Sequence, residues 1–225
     1  MHDAVSDRTD LGYVFIVTYG RSGSTLLQGF LNSIPGYVIH GENGDALYSL
    51  FAYFNTLDKA HREHTDPAKK SPDTPSHPWF GIHKFSGERA AGLLRSLVLE
   101  SLLRPSPETR VTGFKEIRWV HSNWRPYVEF LLRLFPQARF VVNTRDHADV
   151  LASKWWKGRE NGPAILDRAE AQFAQLEAAY PERTYRVHYN DYVADPGTLE
   201  GLFEWLGEPF DKDRVNDVLT HKHSY

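Results

Sequence analysis

Short hydrophobic runs alternate with amphipathic stretches along most of the chain. Five of these runs predict strands, and the first, which is short, β-branched and aromatic, is typical of a strand buried on both faces of a parallel sheet. They cover residues 13–17, 37–40, 110–115, 138–143 and 184–188. Between them, apolar residues recur at helical spacing and predict helices at 24–32, 46–57, 88–103, 123–135, 146–157, 165–179 and 199–206.

The alternation of strands and helices predicts a single α/β domain over residues 1–225, built as a P-loop-like three-layer fold. In such a fold a central parallel sheet is flanked by helices on both faces. Residues 58–78 break the pattern with four prolines and many charges, and they predict a flexible surface loop that could close over a substrate.

Composition excludes several classes of function. The chain has no cysteine, so it has neither disulfides nor thiolate sites. A net charge of −3 gives no electrostatic reason to expect nucleic acid as a partner. No apolar run approaches the ~20 residues that a membrane span requires, and the polar start does not resemble a signal peptide. We therefore expect a cytoplasmic protein, with no prediction for its oligomeric state.

The first candidate site is the stretch YGRSGSTLL, which links the first strand to the first helix. Gly20 and Gly23 let the backbone curl around an oxyanion, and a helix that begins there directs unpaired N–H groups at it. Arg21 adds a forked positive charge. Three hydroxyl residues complete the set as donors: Ser22, Ser24 and Thr25.

A Walker ATP loop is the obvious alternative for this stretch. When Gly23 and Thr25 are aligned with the last glycine and the last hydroxyl of that motif, Ser24 stands where the Walker lysine belongs and Thr18 stands where the first glycine belongs. That lysine reaches the outer phosphates of ATP. The sequence therefore favours an anion that needs no metal, over the ATP–Mg²⁺ of a nucleotide kinase.

The second candidate site is the stretch NTRDHADVLASKWW. Arg145 ends a strand, and Ser153 follows about two helical turns later, so both side chains could face one phosphate. The alternative is an ordinary helix start with an unrelated serine.

Together, the two stretches resemble the sulfotransferases that use 3′-phosphoadenosine 5′-phosphosulfate (PAPS), in their bacterial, tyrosylprotein and carbohydrate-type branch. GRSGSTLL is similar to the 5′-phosphosulfate loop of that family, and the segment with Arg145 and Ser153 is similar to its 3′-phosphate segment. The stretch YRVHYNDYVADPGTLEGLFEWLGEPFD resembles the C-terminal part of the family and implies that Tyr189 lies near the adenine. The resemblance implies PAPS as co-substrate, adenosine 3′,5′-bisphosphate as product, and no metal.

The resemblance also implies catalytic roles. Glu42, in HGENG, matches the general base that takes the proton of an acceptor hydroxyl, with His40 as its competitor. Lys115 matches a lysine that stabilises charge on the bridging oxygen, and Arg21 shares that role. The alternative for Lys115 is an ordinary ion pair with Glu116 or Glu42. Arg118 is a candidate for holding the acceptor. Asp45 is expected to cap the next helix.

Other residues leave alternatives open. The pairs His61/His64 and His221/His223 have metal-like spacing but no matching carboxylates, so we expect no metal there. Trp155 and Trp156 could line an acceptor pocket, although at least one should belong to the core. Three residues of the tail could assist the 3′-phosphate: Lys222, Ser224 and Tyr225. The acceptor is a small-molecule or glycan hydroxyl, and a non-catalytic nucleotide-binding module is the remaining alternative.

Overall fold

The structure is a computed structural model that describes residues 10–68 and 71–220. Within these residues, five strands form one parallel sheet in the order β2-β3-β1-β4-β5. The strands are β1 (Gly12–Val17), β2 (Tyr37–His40), β3 (Val111–Glu116), β4 (Ala138–Thr144) and β5 (Thr184–His188). Each lies within one or two residues of its predicted position.

The helices cover both faces of this sheet. They are α1 (Ser24–Asn32), α2 (Ala46–His64), α3 (Gly87–Val98), α4 (Trp124–Leu134), α5 (His147–Ala152), α6 (Gly162–Ala179), α7 (Tyr189–Ala194), α8 (Glu200–Leu206) and α9 (Lys212–Thr220). None of the described helices combines the length and the hydrophobicity that a bilayer crossing demands.

The side chains of each strand alternate between two hydrophobic cores, as the pleat requires. In β1, Phe15 belongs to the core beneath α2, α3, α4 and α6, whereas Ile16 belongs to the core beneath α1, α8 and α9. Both side chains are completely buried. The three central strands, β1, β3 and β4, are therefore covered on both faces, whereas the edge strands β2 and β5 each keep an exposed position.

Helix α2 continues to His64, past its predicted end at 57. The first seven residues of the loop predicted at 58–78 are therefore helical. The exposed side of its last turns is polar, and ion pairs four residues apart stabilise it: Asp58 with Arg62 at 3.0 Å and Lys59 with Glu63 at 3.8 Å. Ala60 meanwhile stays buried. A hydrophobic pattern cannot show a helix whose last turns depend on polar pairs. The flexibility of the loop stays a prediction, as does the single domain.

Four other helices differ from the sequence expectation. α7 was not predicted, and only Tyr192 of its residues is buried. α3 ends at Val98 and continues as a π-helical turn, Leu99–Leu103. α5 stops at Ala152, where the Ser153 hydroxyl donates to the Val150 carbonyl and the backbone becomes extended. α9 was not predicted, because only Val215 of its residues is buried.

Because the five strands are parallel, their carboxyl ends meet at one edge of the sheet. Thr18, Gly41, Ile117, Arg145 and Tyr189 each follow a strand directly at this edge. In open α/β sheets this is the edge where ligands bind. The predicted site residues follow four of these strands or lie near the end of the fifth.

Candidate active site

The loop after β1 adopts a curled backbone that is suited to an anion. Arg21 and Gly23 both have left-handed φ angles, 69° and 78°, on either side of Ser22. Such alternation turns successive N–H groups toward one point. Since α1 begins at Ser24, the unpaired N–H groups of its first turn lie next to the same loop.

A buried polar network fixes this loop to the neighbouring strand. The Thr18 hydroxyl donates to the carbonyl of Asn143 at 2.7 Å and lies 2.6 Å from the Ser22 hydroxyl. The Asn143 amide donates to the Ser22 carbonyl at 3.0 Å, and Tyr192 donates to the Asn143 side chain at 2.9 Å. Burial raises the pKa of Tyr192 far above its usual value, so the phenol remains a donor. Sequence reasoning missed Asn143 and Tyr192.

Arg145 reaches the loop from the end of β4. Its guanidinium lies over the Tyr189 ring at 4.4 Å and approaches the Arg21 carbonyl at 3.4 Å. One buried atom of that guanidinium, Nε, has no hydrogen-bond partner in the described part of the chain. Tyr19 holds the backbone of Arg145 in place, because its hydroxyl both accepts from the Arg145 N–H and donates to the Arg145 carbonyl, each at 3.0 Å.

Two aromatic rings press on the glycines of the loop. A Cβ at Gly23 would lie 2.0 Å from the Tyr189 ring, and a Cβ at Gly20 would lie 2.0 Å from the Trp155 ring. The Trp156 indole N–H donates to the Gly20 carbonyl at 2.8 Å. Glycine is therefore required at both positions for close packing, beyond the conformational reason that the sequence suggested.

Glu42 and Lys115 meet on the other side of β1. Glu42 follows β2, and Lys115 is the penultimate residue of β3. Their side chains form an ion pair of 2.6 Å, in which Lys115 is only 7% exposed and Glu42 is 39% exposed. The predicted base and the predicted cationic residue therefore lie together, with the carboxylate on the open side.

A residue that sequence reasoning missed fixes the two loops around this pair. The Glu116 carboxylate is almost fully buried. One of its oxygens accepts the backbone N–H groups of Asn43 and Asp45, at 3.2 and 3.0 Å. The other accepts those of Ile117 and Arg118, at 2.8 and 3.2 Å. Glu116 thus ties the segment after β2 to the segment after β3.

Several expectations about neighbouring residues need correction. Asp45 does not cap α2 with its side chain, which instead lies 3.3 Å from His121; Asn43 accepts the Ala46 N–H. His40 turns away from the edge and bonds the Leu103 carbonyl at 2.8 Å. Arg118 lies next to Glu116 at 3.5 Å, and its role in holding the acceptor stays a prediction.

One cavity of about 650 Å³ connects the loop, Arg145 and the Glu42–Lys115 pair. The residues predicted to bind the nucleotide or to act in catalysis all line it except Ser22 and Ser153, whereas Arg118 and His40 do not line it. Ser22 is buried in the network with Thr18. The expectation that Arg145 and Ser153 share one helical face is wrong, because Arg145 precedes α5 and Ser153 follows its end. Their roles as ligands stay predictions.

The cavity has apolar walls as well. Leu26, Val193 and Leu219 line it near Tyr189, and Ile117 and Trp155 also line it. Trp156 belongs to the core, as expected for one of the two tryptophans.

The side chains of His61 and His64 have other partners in the structure. His61 bonds the Ile82 carbonyl and His64 stacks on Trp79, and no cluster of three potential metal ligands occurs among the described residues. His221, His223, Lys222, Ser224 and Tyr225 lie outside the described residues.

Comparison with known proteins agrees with this arrangement. The sequence model of the sulfotransferase family matches residues 14–212. No curated protein matches the chain closely enough in sequence to count as a relative.

Solved structures of sulfotransferases share the fold. The sulfotransferase domain of the olefin synthase from Synechococcus PCC 7002 is 22% identical, with a TM-score of 0.55 over 94% of this chain and 83% of that chain. Sulfotransferase STF9 from Mycobacterium avium is 15% identical, with a TM-score of 0.52 over 100% of this chain and 71% of that chain. These likenesses confirm the predicted P-loop-like α/β fold.

Proposed function

The chain belongs to the sulfotransferase family, and from that membership we propose that it transfers the sulfuryl group of PAPS to the hydroxyl of a small-molecule acceptor. The observation that carries the proposal is the single cavity, which joins an anion-binding loop without the Walker lysine to a carboxylate–lysine pair. Adenosine 3′,5′-bisphosphate would be the second product.

The donor half of the cavity lies over β1, β4 and β5. The loop N–H groups and Arg21 suit the 5′-phosphosulfate, since oriented backbone dipoles and a guanidinium both favour oxyanions. The unpartnered Nε of Arg145 is a buried donor at the same edge, which suits the 3′-phosphate. Tyr189, with Leu26, Val193 and Leu219 beside it, offers the apolar surface that an adenine ring requires.

The reacting half lies over β2 and β3. The acceptor oxygen forms a bond to sulfur while the bond from sulfur to the 5′-phosphate oxygen breaks, and that oxygen keeps the electron pair. Glu42 accepts the proton of the attacking hydroxyl. Lys115 and Arg21 stabilise the negative charge that develops on the leaving oxygen. The ion pair keeps Glu42 and Lys115 at the same point of the cavity before the substrates bind.

The test is a transfer assay with radioactively labelled PAPS and a panel of phenols, sugars and lipid alcohols. Glu42→Gln should bind adenosine 3′,5′-bisphosphate as the unaltered protein does and lose transfer by a factor of ~10²–10⁴, the range for a general base. Calorimetry with the bisphosphate provides the control for folding. Binding of ATP–Mg²⁺ in preference to the bisphosphate would indicate a kinase instead, and binding without any transfer would indicate a non-catalytic module.

Action in the cytoplasm is part of this proposal. The chain has no cysteine, which suits a reducing compartment where disulfides are not used.

A further inference from the structure

The central sheet divides the apolar walls of the cavity into two groups. Leu26, Tyr189 and Leu219 pack with the core beneath α1, α8 and α9. Trp156, next to Trp155 in the chain, belongs to the opposite core beneath α2, α3, α4 and α6. The segment of Glu42 leads directly into α2 on that opposite face. The Trp155 ring meets the Trp156 ring and so lies beside the core on the face of the sheet that carries α2, whereas Tyr189 packs with the other core.

Trp155 is rigidly supported but remains open to solvent. The Gly20 backbone lies against its ring, and the Arg159 guanidinium lies 4.7 Å from the ring centre. The Trp156 ring meets it edge-on at 5.2 Å. In spite of these contacts the residue is 44% exposed, and it lines the cavity. A fixed, exposed aromatic ring in a cavity is a feature of ligand recognition.

We propose that Trp155 and Ile117 form the acceptor subsite, and that its ligand is a neutral phenol whose ring packs against Trp155 while its hydroxyl approaches Glu42. The inference rests on the proposed function and extends it to the acceptor, which the family does not specify. Both residues line the same cavity as Glu42 and Lys115.

The chemistry of the wall selects among the acceptor classes. Apart from the residues proposed to hold the nucleotide, the polar side chains that line the cavity are Glu42 and Lys115, and they bond each other. A sugar carries several hydroxyls that lose water on binding and need partners, and unmatched polar groups weaken binding. A polyanionic acceptor needs several cations, but Arg21 and Arg145 lie at the anion loop, and Arg159, which lies over the Trp155 ring, does not line the cavity. A phenol needs one partner for its hydroxyl and an apolar surface for its ring.

The experiment compares Trp155→Leu with Trp155→Phe and with Trp79→Leu as a matched control. Trp79 is 45% exposed, close to the value for Trp155, and does not line the cavity. For each variant we would measure the KM for phenol, naphthol and methyl glucoside, and the Kd of adenosine 3′,5′-bisphosphate. The Kd of naphthol in the presence of the bisphosphate provides a measurement that requires no turnover.

We expect Trp155→Leu to raise the KM and the Kd for naphthol roughly tenfold, the effect of losing an aromatic pair and its contact area. Trp155→Phe should keep most of the affinity for naphthol, and Trp79→Leu should leave the KM and the Kd for naphthol unchanged. The bisphosphate Kd should stay within about threefold in every variant, a limit well below the tenfold effect expected on naphthol.

Two results would overturn the assignment. If Trp155→Leu left naphthol binding unchanged, or weakened the bisphosphate as much as naphthol, Trp155 would only support the anion loop. A preference of the unaltered protein for methyl glucoside over both phenols would also refute it. The proposed function would fail differently, through the absence of bisphosphate binding or of transfer to every acceptor in the unaltered protein.

Discussion

At the scale of single residues, the site depends on backbone conformations that its side chains do not favour. Arg21 has a φ of 69°, a region in which residues other than glycine are strained by about 1–3 kcal/mol. Strain of this kind persists where the surroundings fix it, and the buried Ser22 and its partners do so here. A strained residue at the carboxyl edge of the sheet indicates that its side chain has a functional role.

Replacing Arg21 by glycine tests the role of its side chain in binding separately from the stability of the fold. Arg21→Gly removes the strain but adds freedom to the unfolded chain, so the free energy of unfolding should stay the same or rise by up to about 2 kcal/mol. The affinity for adenosine 3′,5′-bisphosphate should fall by roughly 10- to 100-fold, because a charge-assisted hydrogen bond is lost. Urea unfolding and calorimetry measure the two effects.

Arg104→Gly is the matched control for this variant. Arg104 also has a positive φ, 38°, but it is exposed and lies outside the cavity. The Arg104→Gly variant should have the same affinity for the bisphosphate as the unaltered protein. Equal losses of affinity in the two variants would contradict the role of Arg21.

At the scale of elements, the sequence predicted most of what depends on hydrophobic periodicity. The five strands occupy the predicted runs, because a strand buried on both faces must be continuously apolar. The end of α2 was not predicted, because polar ion pairs stabilise it. α9 was not predicted, because it buries a single valine. Glu116 escaped for another reason: its partners at 43 and 45 are distant in sequence, and they donate backbone N–H groups that no side-chain pattern reveals.

The connection that Glu116 makes between two loops can be tested by Glu116→Gln. Each carboxylate oxygen accepts two backbone N–H groups, whereas the amide nitrogen of glutamine cannot accept any. One of the loops should therefore lose its anchor, which lowers the free energy of unfolding by about 1–3 kcal/mol. Because this displaces Glu42 from Lys115, we expect kcat to fall by roughly 10- to 100-fold, since small misplacements have effects of that size.

The Kd of the bisphosphate distinguishes this positioning role from a general loss of structure. It should change little in Glu116→Gln, since the anion loop is held by a separate network. If the bisphosphate Kd and kcat worsened together, Glu116 would be a support of the whole edge rather than of the Glu42 segment.

At the scale of the whole molecule, the strand order places the donor and acceptor functions side by side. β1 is central, β4 and β5 carry the residues proposed for the nucleotide, and β3 and β2 carry the reacting pair. Closure of the predicted loop at 58–78 over a substrate stays a prediction. α2 begins beside Glu42, and its 19 residues carry the start of the loop about 28 Å away along the helix axis. None of the described loop residues lines the cavity.

Ligand binding should therefore stabilise the chain through one edge of one sheet. At a bisphosphate concentration of 100 times its Kd, the free energy of unfolding should rise by about 2.7 kcal/mol. For a chain of this size that corresponds to an increase in Tm of roughly 5–10 °C. Calorimetric melting measures it.

The same melting experiment tests the absence of a metal requirement that the family resemblance implies. Addition of a chelator should leave the increase in Tm unchanged, whereas its loss would indicate a divalent ion between the ligand and the loop. ATP–Mg²⁺ should produce a much smaller increase.

The network beneath the anion loop has a consequence for protein engineering. Ser22, Asn143 and Tyr192 come from three distant parts of the chain, and they give the short motif its shape. Transplanting residues 18–25 onto another scaffold would transfer the sequence of the loop but not the residues that hold its conformation. A successful graft would also need β4, which carries Asn143, and α7, which carries Tyr192 and follows β5. The smallest unit that could be transferred therefore includes β1, β4, β5 and α7.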